Sequence, residues 1–210
     1  MKKTYAAFDF DGTLSYRDTF LPFLWYVVGP LRFFFTLVKS FPGLALALVS
    51  KERRQKAKEA LLKQFFKGKS RKSICHLGEL YAQEKLPLKL RKCALHRLQW
   101  HLQRGDVVVL ISANFEEYLV PFAKHAGIHH VLASKMQMDA EGKITGFLKG
   151  KNCRGVEKVK RLKDLVGNLE DTILYAYGDS EGDLELLSVA DHPFFVAKGI
   201  WPVNHEEKCV

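Results

Sequence analysis

The feature that most restricts this chain is YAAFDFDGT, residues 5–13: four apolar residues lead straight into two acids, Asp9 and Asp11, with Gly12 and Thr13 behind them. Buried carboxylates are costly unless paired or metal-bound. An apolar strand that ends in acids therefore reads as the edge of a site. Two further stretches share this form. DVVVLIS ends at Ser112, and DTILYAYGDS carries Asp179 just past its apolar run. They predict buried strands at Tyr5–Phe10, Val107–Ile111 and Ile173–Tyr177. Weaker strand signals lie near Val131 and Phe195, and helical periodicity follows at Glu116–Ala126, Val156–Val166 and Gly182–Val189. Strand then helix, repeated, predicts an α/β architecture: a doubly wound, mostly parallel sheet with helices on both faces. Ligands of such sheets sit beyond the carboxyl ends of the strands, where Asp9, Ser112 and Asp179 all fall. KMQMDAEGKITGFLKG departs from this pattern and reads as a β-hairpin around a short turn.

Between Ser15 and Gln103 the periodicity is helical, with breaks expected at Gly29-Pro30, Pro42-Gly43, Gly68 and Pro87. The last helix, from about Leu88 to Gln103, leads back to the sheet. The first part of this insert, Phe20 to Ser50, is very apolar, but Pro30, Arg32, Lys39 and Pro42 interrupt it. A spanning helix needs about 20 predominantly apolar residues, so a single transmembrane helix fits poorly. Two readings remain: apolar faces packed together and on the core, or peripheral contact with anionic membrane lipid.

Charge sharpens that choice. The chain carries +10, yet Lys51 to Arg104 alone holds 16 Lys/Arg against 4 Glu, a net of +12. Such a field attracts phosphorylated substrates, anionic lipid or nucleic acid; a solvated helical surface is the plainer explanation. The four cysteines, Cys75, Cys93, Cys153 and Cys209, form no CxxC pair, so no zinc site is expected and reduced thiols are. Acids follow the first lysines too early for a signal peptide. The expectation is a cytoplasmic chain, with association at the inner face of a membrane as its extension.

Asp9, Asp11, Asp179 and Asp183 would crowd one sheet edge, where each close pair costs roughly 4 kcal/mol at about 4 Å. A hard divalent cation removes that cost, and Mg²⁺ suits oxygen ligands and leaves room for a phosphate oxygen. Asp9, nearer the strand, is expected to attack phosphorus. Asp11 is expected to protonate the leaving oxygen and then take a proton from water. Thr13 has a hydroxyl within reach of the carboxylates, and Thr13 and Asp18 are expected on the substrate side. Ser112, with the backbone of Ala113 and Asn114, would cradle an anion at a helix start, although a plain helix N-cap explains the same residues. A cation must also offset phosphoryl charge. Lys151, Arg154, Lys158 and Lys160 are the choices, with Lys158 first and Arg154 second.

DxDGT, Ser112 at a strand end, a lysine near a helix start and GDSxxD, in this order, resemble the haloacid-dehalogenase superfamily of phosphatases. The helical insert resembles the cap of its subfamily IB, the phosphoserine-phosphatase-like branch. The resemblance implies a Rossmann-like catalytic core at residues 1–15 and 104–210 with a helical cap at 16–103. It also implies Mg²⁺ and an aspartyl-phosphate intermediate. Carried over, Asp9 is nucleophile and metal ligand, and Asp11 is acid/base and a ligand through its carbonyl. Ser112 binds phosphate and Asp179 binds metal, while Asp183 joins the metal shell or orients the lysine. The chain has Asp18 where phosphoserine phosphatases carry Glu, and Ser112-Ala113-Asn114 where they carry Ser-Gly-Gly. Their lysine aligns with Arg154, whereas a subgroup with CxGxEK, which includes bacterial phosphatases of phosphatidylglycerol phosphate, places it at Lys158.

The resulting expectation is a Mg²⁺-dependent phosphomonoesterase, with a lipid-linked phosphate such as phosphatidylglycerol phosphate slightly favoured as substrate. Phosphoserine, histidinol phosphate and phosphoryl transfer to an alcohol are the alternatives. The non-enzymatic alternative is an anion-binding module. No RNP-like motif, basic zipper or zinc finger accompanies the basic stretch, so no specific nucleic-acid partner is expected. Nothing in the sequence addresses oligomeric state.

Overall fold

The computed structural model describes residues 2–47, 51–196 and Trp201. The end of the apolar run, residues 48–50, and the expected C-terminal part of the core at 197–200 and 202–210, with Cys209, lie outside the described residues.

Five parallel strands form the central sheet: β1 (Lys3–Phe8), β2 (Val107–Phe115), β3 (His130–Ser134), β6 (Thr172–Gly178) and β7 (His192–Phe195), in the order β3-β2-β1-β6-β7. The chain runs outward from β1 through β2 to β3, then returns to the other side of β1 as β6. The crevice between β1 and β6 is therefore the point where strand order reverses, the usual ligand position in open α/β sheets. The intervening hairpin, β4 (Met136–Met138) and β5 (Ile144–Leu148), is antiparallel as expected.

Alternation along the strands explains the central position of β1. Ala6 and Phe8 join one buried cluster with Val108, Leu110 and Tyr177; Tyr5 and Ala7 join the other with Val109, Ile111, Leu174 and Ala176. Both faces of β1 are thus covered, as a parallel sheet requires. Leu162 of α7 (Val156–Val166) and Leu186 of α8 (Leu184–Ser188) belong to the second cluster. Residues of α5 (Lys92–Gln103) and α6 (Glu116–Ala126) join the first. Behind the sheet, buried His101 lies 2.7 Å from Asp106 Oδ2 and 2.9 Å from the Tyr177 hydroxyl.

The insert between β1 and β2 holds α1 (Phe20–Val28), α2 (Pro30–Ala47), α3 (Lys51–Phe66) and α4 (Arg71–Glu84), with α5 returning to the sheet. Its two connections run side by side: Tyr16 N–H donates to the Lys89 carbonyl and Arg91 N–H to the Leu14 carbonyl. Aromatic rings tie it down. Phe23 of α1 lies 5.2 Å from the Tyr81 ring of α4 and 4.7 Å from the Tyr118 ring of α6. Gly78 permits the close crossing of α4 and α6, because a Cβ there would stand 2.1 Å from the Glu117 carbonyl oxygen.

Three of the expected breaks are present. Gly29 ends α1 at φ +77° and Pro30 opens α2; Gly68 and Pro87 follow α3 and α4. The break expected at Pro42-Gly43 is absent, since α2 runs through to Ala47. An internal proline leaves the carbonyl four residues earlier without its helical partner. Here that residue is Val38, which is exposed, so solvent can take the bond. The helix expected at Gly182–Val189 is a 3₁₀ turn, Glu181–Asp183, followed by α8, because Ser180 and Asp183 cap each other and start the chain tightly. Cys75 and Cys153 are free thiols, as expected for them. Among the described residues, no helix is long and apolar enough to cross a membrane.

Candidate active site at the strand ends

The carboxyl ends of β1, β2 and β6 open into one cleft of about 490 Å³. Asp9 follows β1 and is anchored by its N–H to the Tyr177 carbonyl of β6 at 2.9 Å. The chain then turns sharply through residues 10–14, where Gly12 takes φ +80°. A Cβ on Gly12 would stand 2.0 Å from Asp179 Oδ2, so only glycine lets this turn meet the end of β6. Gly178 does the same for the next acid: a Cβ there would lie 2.4 Å from the Asp183 Cβ.

These close approaches gather Asp9, Asp179 and Asp183, whose carboxylate oxygens lie within 4.8 Å of one another. Lys158, in the first turn of α7, enters the group. Its Nζ donates to Asp9 Oδ1 and to Asp183 Oδ1, each at 2.5 Å, and to the Ile111 carbonyl at 3.0 Å. The other Asp183 oxygen accepts from the Ser180 N–H at 3.1 Å and its hydroxyl at 2.8 Å. Asp183 thus spends both oxygens on positioning Lys158 and its own turn. Thr13, expected on the substrate side, is fully buried, and its hydroxyl faces Asp179 Oδ1 at 3.4 Å; it supports an acid instead of lining the cleft.

Electrostatics follow from this crowding. Burial pushes Asp9 up to about 7; Lys158 opposes the shift, and Asp183 and Asp179 add to it. Burial and Asp183 also raise Asp179. Burial raises Asp183 as well, but Lys158 and Ser180 outweigh it and hold that carboxyl below its usual range. Burial lowers Lys158, and Asp9 and Asp183 reverse the shift, so the ammonium is retained. With all three ionised, the acids exceed the one ammonium beside them by two negative charges, which one divalent cation would match. The donor set is all oxygen, and Asp179 keeps an oxygen beyond its Thr13 contact. The residues fit a hard divalent ion held by Asp9 and Asp179.

The Asp11 carboxyl points elsewhere. Oδ1 accepts from the Thr19 N–H at 3.0 Å and hydroxyl at 2.7 Å, and Oδ2 accepts from Asn114 Nδ2 at 2.6 Å. The Asp11 carboxyl is therefore outside the acid group that Asp9, Asp179 and Asp183 form. Burial, then the Asp18 charge, pushes it up to about 8 against the bonds from Thr19 and Asn114, so it holds a proton near neutrality. Thr19 is held in turn by Tyr81, whose hydroxyl donates to its carbonyl at 3.0 Å.

Ser112 is buried inside β2, four residues ahead of α6, whose N-cap is Phe115 with no side-chain bond. It is therefore not a helix cap. Its Oγ accepts from the Asn114 N–H at 3.1 Å and lines the cleft beside Ala113 and Asn114. Arg154 and Asp18 also line the cleft, Asp18 with one oxygen accepting from the Leu21 N–H at 2.9 Å. The sequence reading missed Lys58 of α3. It reaches down from the insert, donates to the Ala113 carbonyl and to Asn152 Oδ1 at 3.3 Å, and lies 4.5 Å from the Phe115 ring centre. Burial pushes its ammonium down to about 8, partly offset by Asp11 and Asp18. Thr19 and Asn152 were missed too. A polar residue on an α-helix or in a loop carries no sequence signal of what it faces.

A family model described as haloacid dehalogenase-like hydrolase matches residues 6–188. Protein CicA of Caulobacter vibrioides is 35% identical over 186 residues, spanning 89% of this chain and 82% of its own length. A solved protein of unknown function from Bordetella pertussis has a TM-score of 0.74 at 21% identity, over 90% of this chain and 87% of that one. A phosphoserine phosphohydrolase-like protein from Francisella tularensis has a TM-score of 0.62 at 19% identity, over 94% and 87%. At such identities the two structures establish likeness of fold.

Proposed function

The chain belongs to the haloacid dehalogenase-like hydrolases, and from that premise we propose that it hydrolyses a phosphate monoester through an aspartyl-phosphate on Asp9. One observation carries the reading: Lys158 bridges Asp9 and Asp183 at 2.5 Å in a cleft that Ser112 and Asp179 share. Asp9 and Asp179, with the Asp11 carbonyl, would hold Mg²⁺. When bound, that ion supplies charge neutralisation, which lets an anionic nucleophile approach an anionic phosphate.

An Asp9 carboxylate oxygen attacks phosphorus, the ester P–O bond breaks, and the Asp11 carboxyl gives its proton to the leaving alkoxide. Lys158 stabilises charge on the transferring phosphoryl oxygens, and Ser112 with the Ala113 and Asn114 backbone orients them. Water then attacks phosphorus while Asp11 takes its proton. The bond from phosphorus to Asp9 breaks and inorganic phosphate leaves. Burial, by raising its affinity for the proton, suits Asp11 to both halves: the carboxyl gives its proton to the leaving oxygen, and the carboxylate left behind takes one from water. Arg154, Asp18 and Lys58, which also line the cleft, would meet the part of the substrate beyond its phosphate.

The test is turnover of para-nitrophenyl phosphate. Chelation with EDTA should abolish it, added Mg²⁺ should restore it, and Asp9→Asn should lack it under both conditions. Full turnover by Asp9→Asn, or by the wild type in EDTA, would overturn the reading.

A further inference from the structure

The insert carries apolar surface that the hydrolytic cleft does not use. On α2, Phe33 packs inward, while Leu31, Phe34, Phe35 and Val38 stand 76%, 56%, 71% and 72% exposed. The spacing i, i+3, i+4, i+7 puts these four on one helical face. Trp25 of α1 extends the stripe, with its ring 5.4 Å from that of Phe34. Beside it runs an apolar groove of about 540 Å³, lined by Leu21, Trp25, Tyr26 and Phe33 and edged by Lys85 and Lys89. Leu21 also lines the catalytic cleft, so groove and cleft adjoin. Soluble chains rarely leave a contiguous apolar face of this kind open.

We propose that the α1–α2 face of the insert docks on an anionic lipid bilayer, with the mouth of the cleft at Leu21 turned towards the lipid. Charge complementarity selects this occupant. Arg32 is exposed within the stripe, and Lys85 and Lys89 flank the groove. Lys69 lies near enough to Arg32 for the two charges to repel, after burial the second cause that lowers its ammonium. Two acids lie here: Glu84, which the Tyr26 hydroxyl bonds at 3.2 Å and which stands 3.9 Å from Lys85 Nζ, and Asp18, which accepts from the Leu21 N–H at 2.9 Å; the cations around the stripe outnumber them. A basic rim around exposed Leu, Phe and Val, with Trp25 and Tyr26 between, is the composition of an interfacial helix. The length and polarity of the described helices exclude spanning among them, which leaves attachment in the interface plane. Docking is independent of the chemistry proposed above. Only its corollary rests on that reading: the monoester cleaved is one presented at a lipid surface.

Cosedimentation of the full chain with vesicles tests it. The wild type should pellet with vesicles of phosphatidylcholine mixed with phosphatidylglycerol, and less with phosphatidylcholine alone. Leu31→Glu/Phe35→Glu should lose vesicle partition on the order of tenfold or more, the scale set by immersing one such side chain. Its para-nitrophenyl phosphate turnover and melting temperature should be unchanged, because both side chains face solvent. The single variant Val38→Glu provides a second, independent lesion. Three results would overturn the proposal: wild type left in the supernatant, variants that pellet like wild type, or a wild-type dimer that the variants dissociate. A wild type that pellets but turns over no phosphate monoester supports docking and sinks the hydrolase reading, so the two failures are distinguishable.

Discussion

The Lys158 ammonium lies 2.5 Å from Asp9 Oδ1, and both groups are buried beneath the cleft. A buried ion pair of this kind contributes little net stability, yet removing one member leaves a stranded charge.

Lys158→Met should therefore lose on both counts. Turnover should fall on the order of a hundred- to a thousandfold, the effect of removing one preorganised charge donor. Stability should fall by about 3–5 kcal/mol, because Asp9 and Asp183 lose their shared partner. Denaturant unfolding of Lys158→Met beside Lys158→Met/Asp183→Asn checks the second effect, since the double variant should recover part of the loss.

Gly12→Ala probes the geometry that brings the acids together. The residue is held at φ +80°, and its Cβ would stand 2.0 Å from Asp179 Oδ2, so Asp179 must withdraw. The Mg²⁺ concentration that gives half-maximal turnover should rise by about tenfold or more, the scale of one charged contact. An unchanged Mg²⁺ titration would show that Asp179 is not a metal ligand.

Lys58 should act through binding. Its ammonium, lowered to about 8 by burial, is charged below that pH and neutral above it. KM should rise as pH passes about 8, while kcat changes little. Lys58→Gln should raise KM by about tenfold at pH 7, as losing a charged hydrogen bond would, and flatten the pH dependence. A Lys58→Gln profile that still rises above pH 8 would assign the titration elsewhere.

Much of this site was legible because parallel strands announce themselves. Buried on both faces, the apolar runs before Asp9, Ser112 and Asp179 have no other stable use, and their ends converge by topology. The ranges of α6 and α7 followed from periodicity alone. What stayed hidden depended on contacts across the insert. Lys58 is one lysine in a basic helix, and only packing of α3 on the hairpin turns it inward. The bond from Asn114 to Asp11 spans 103 positions and has no local pattern. Pro42 misled because a proline usually interrupts a helix, whereas α2 carries it next to an exposed turn.

The proposed hydrolysis turns on Asp9 carrying the phosphoryl group, and mass spectrometry of acid-quenched enzyme measures that directly. After mixing with substrate and Mg²⁺, the peptide containing Asp9 should gain one phosphoryl group that hydroxylamine removes, and Asp9→Asn should gain none. Steady turnover with no phosphoryl on that peptide at any quench time, or the group on another residue, would contradict it.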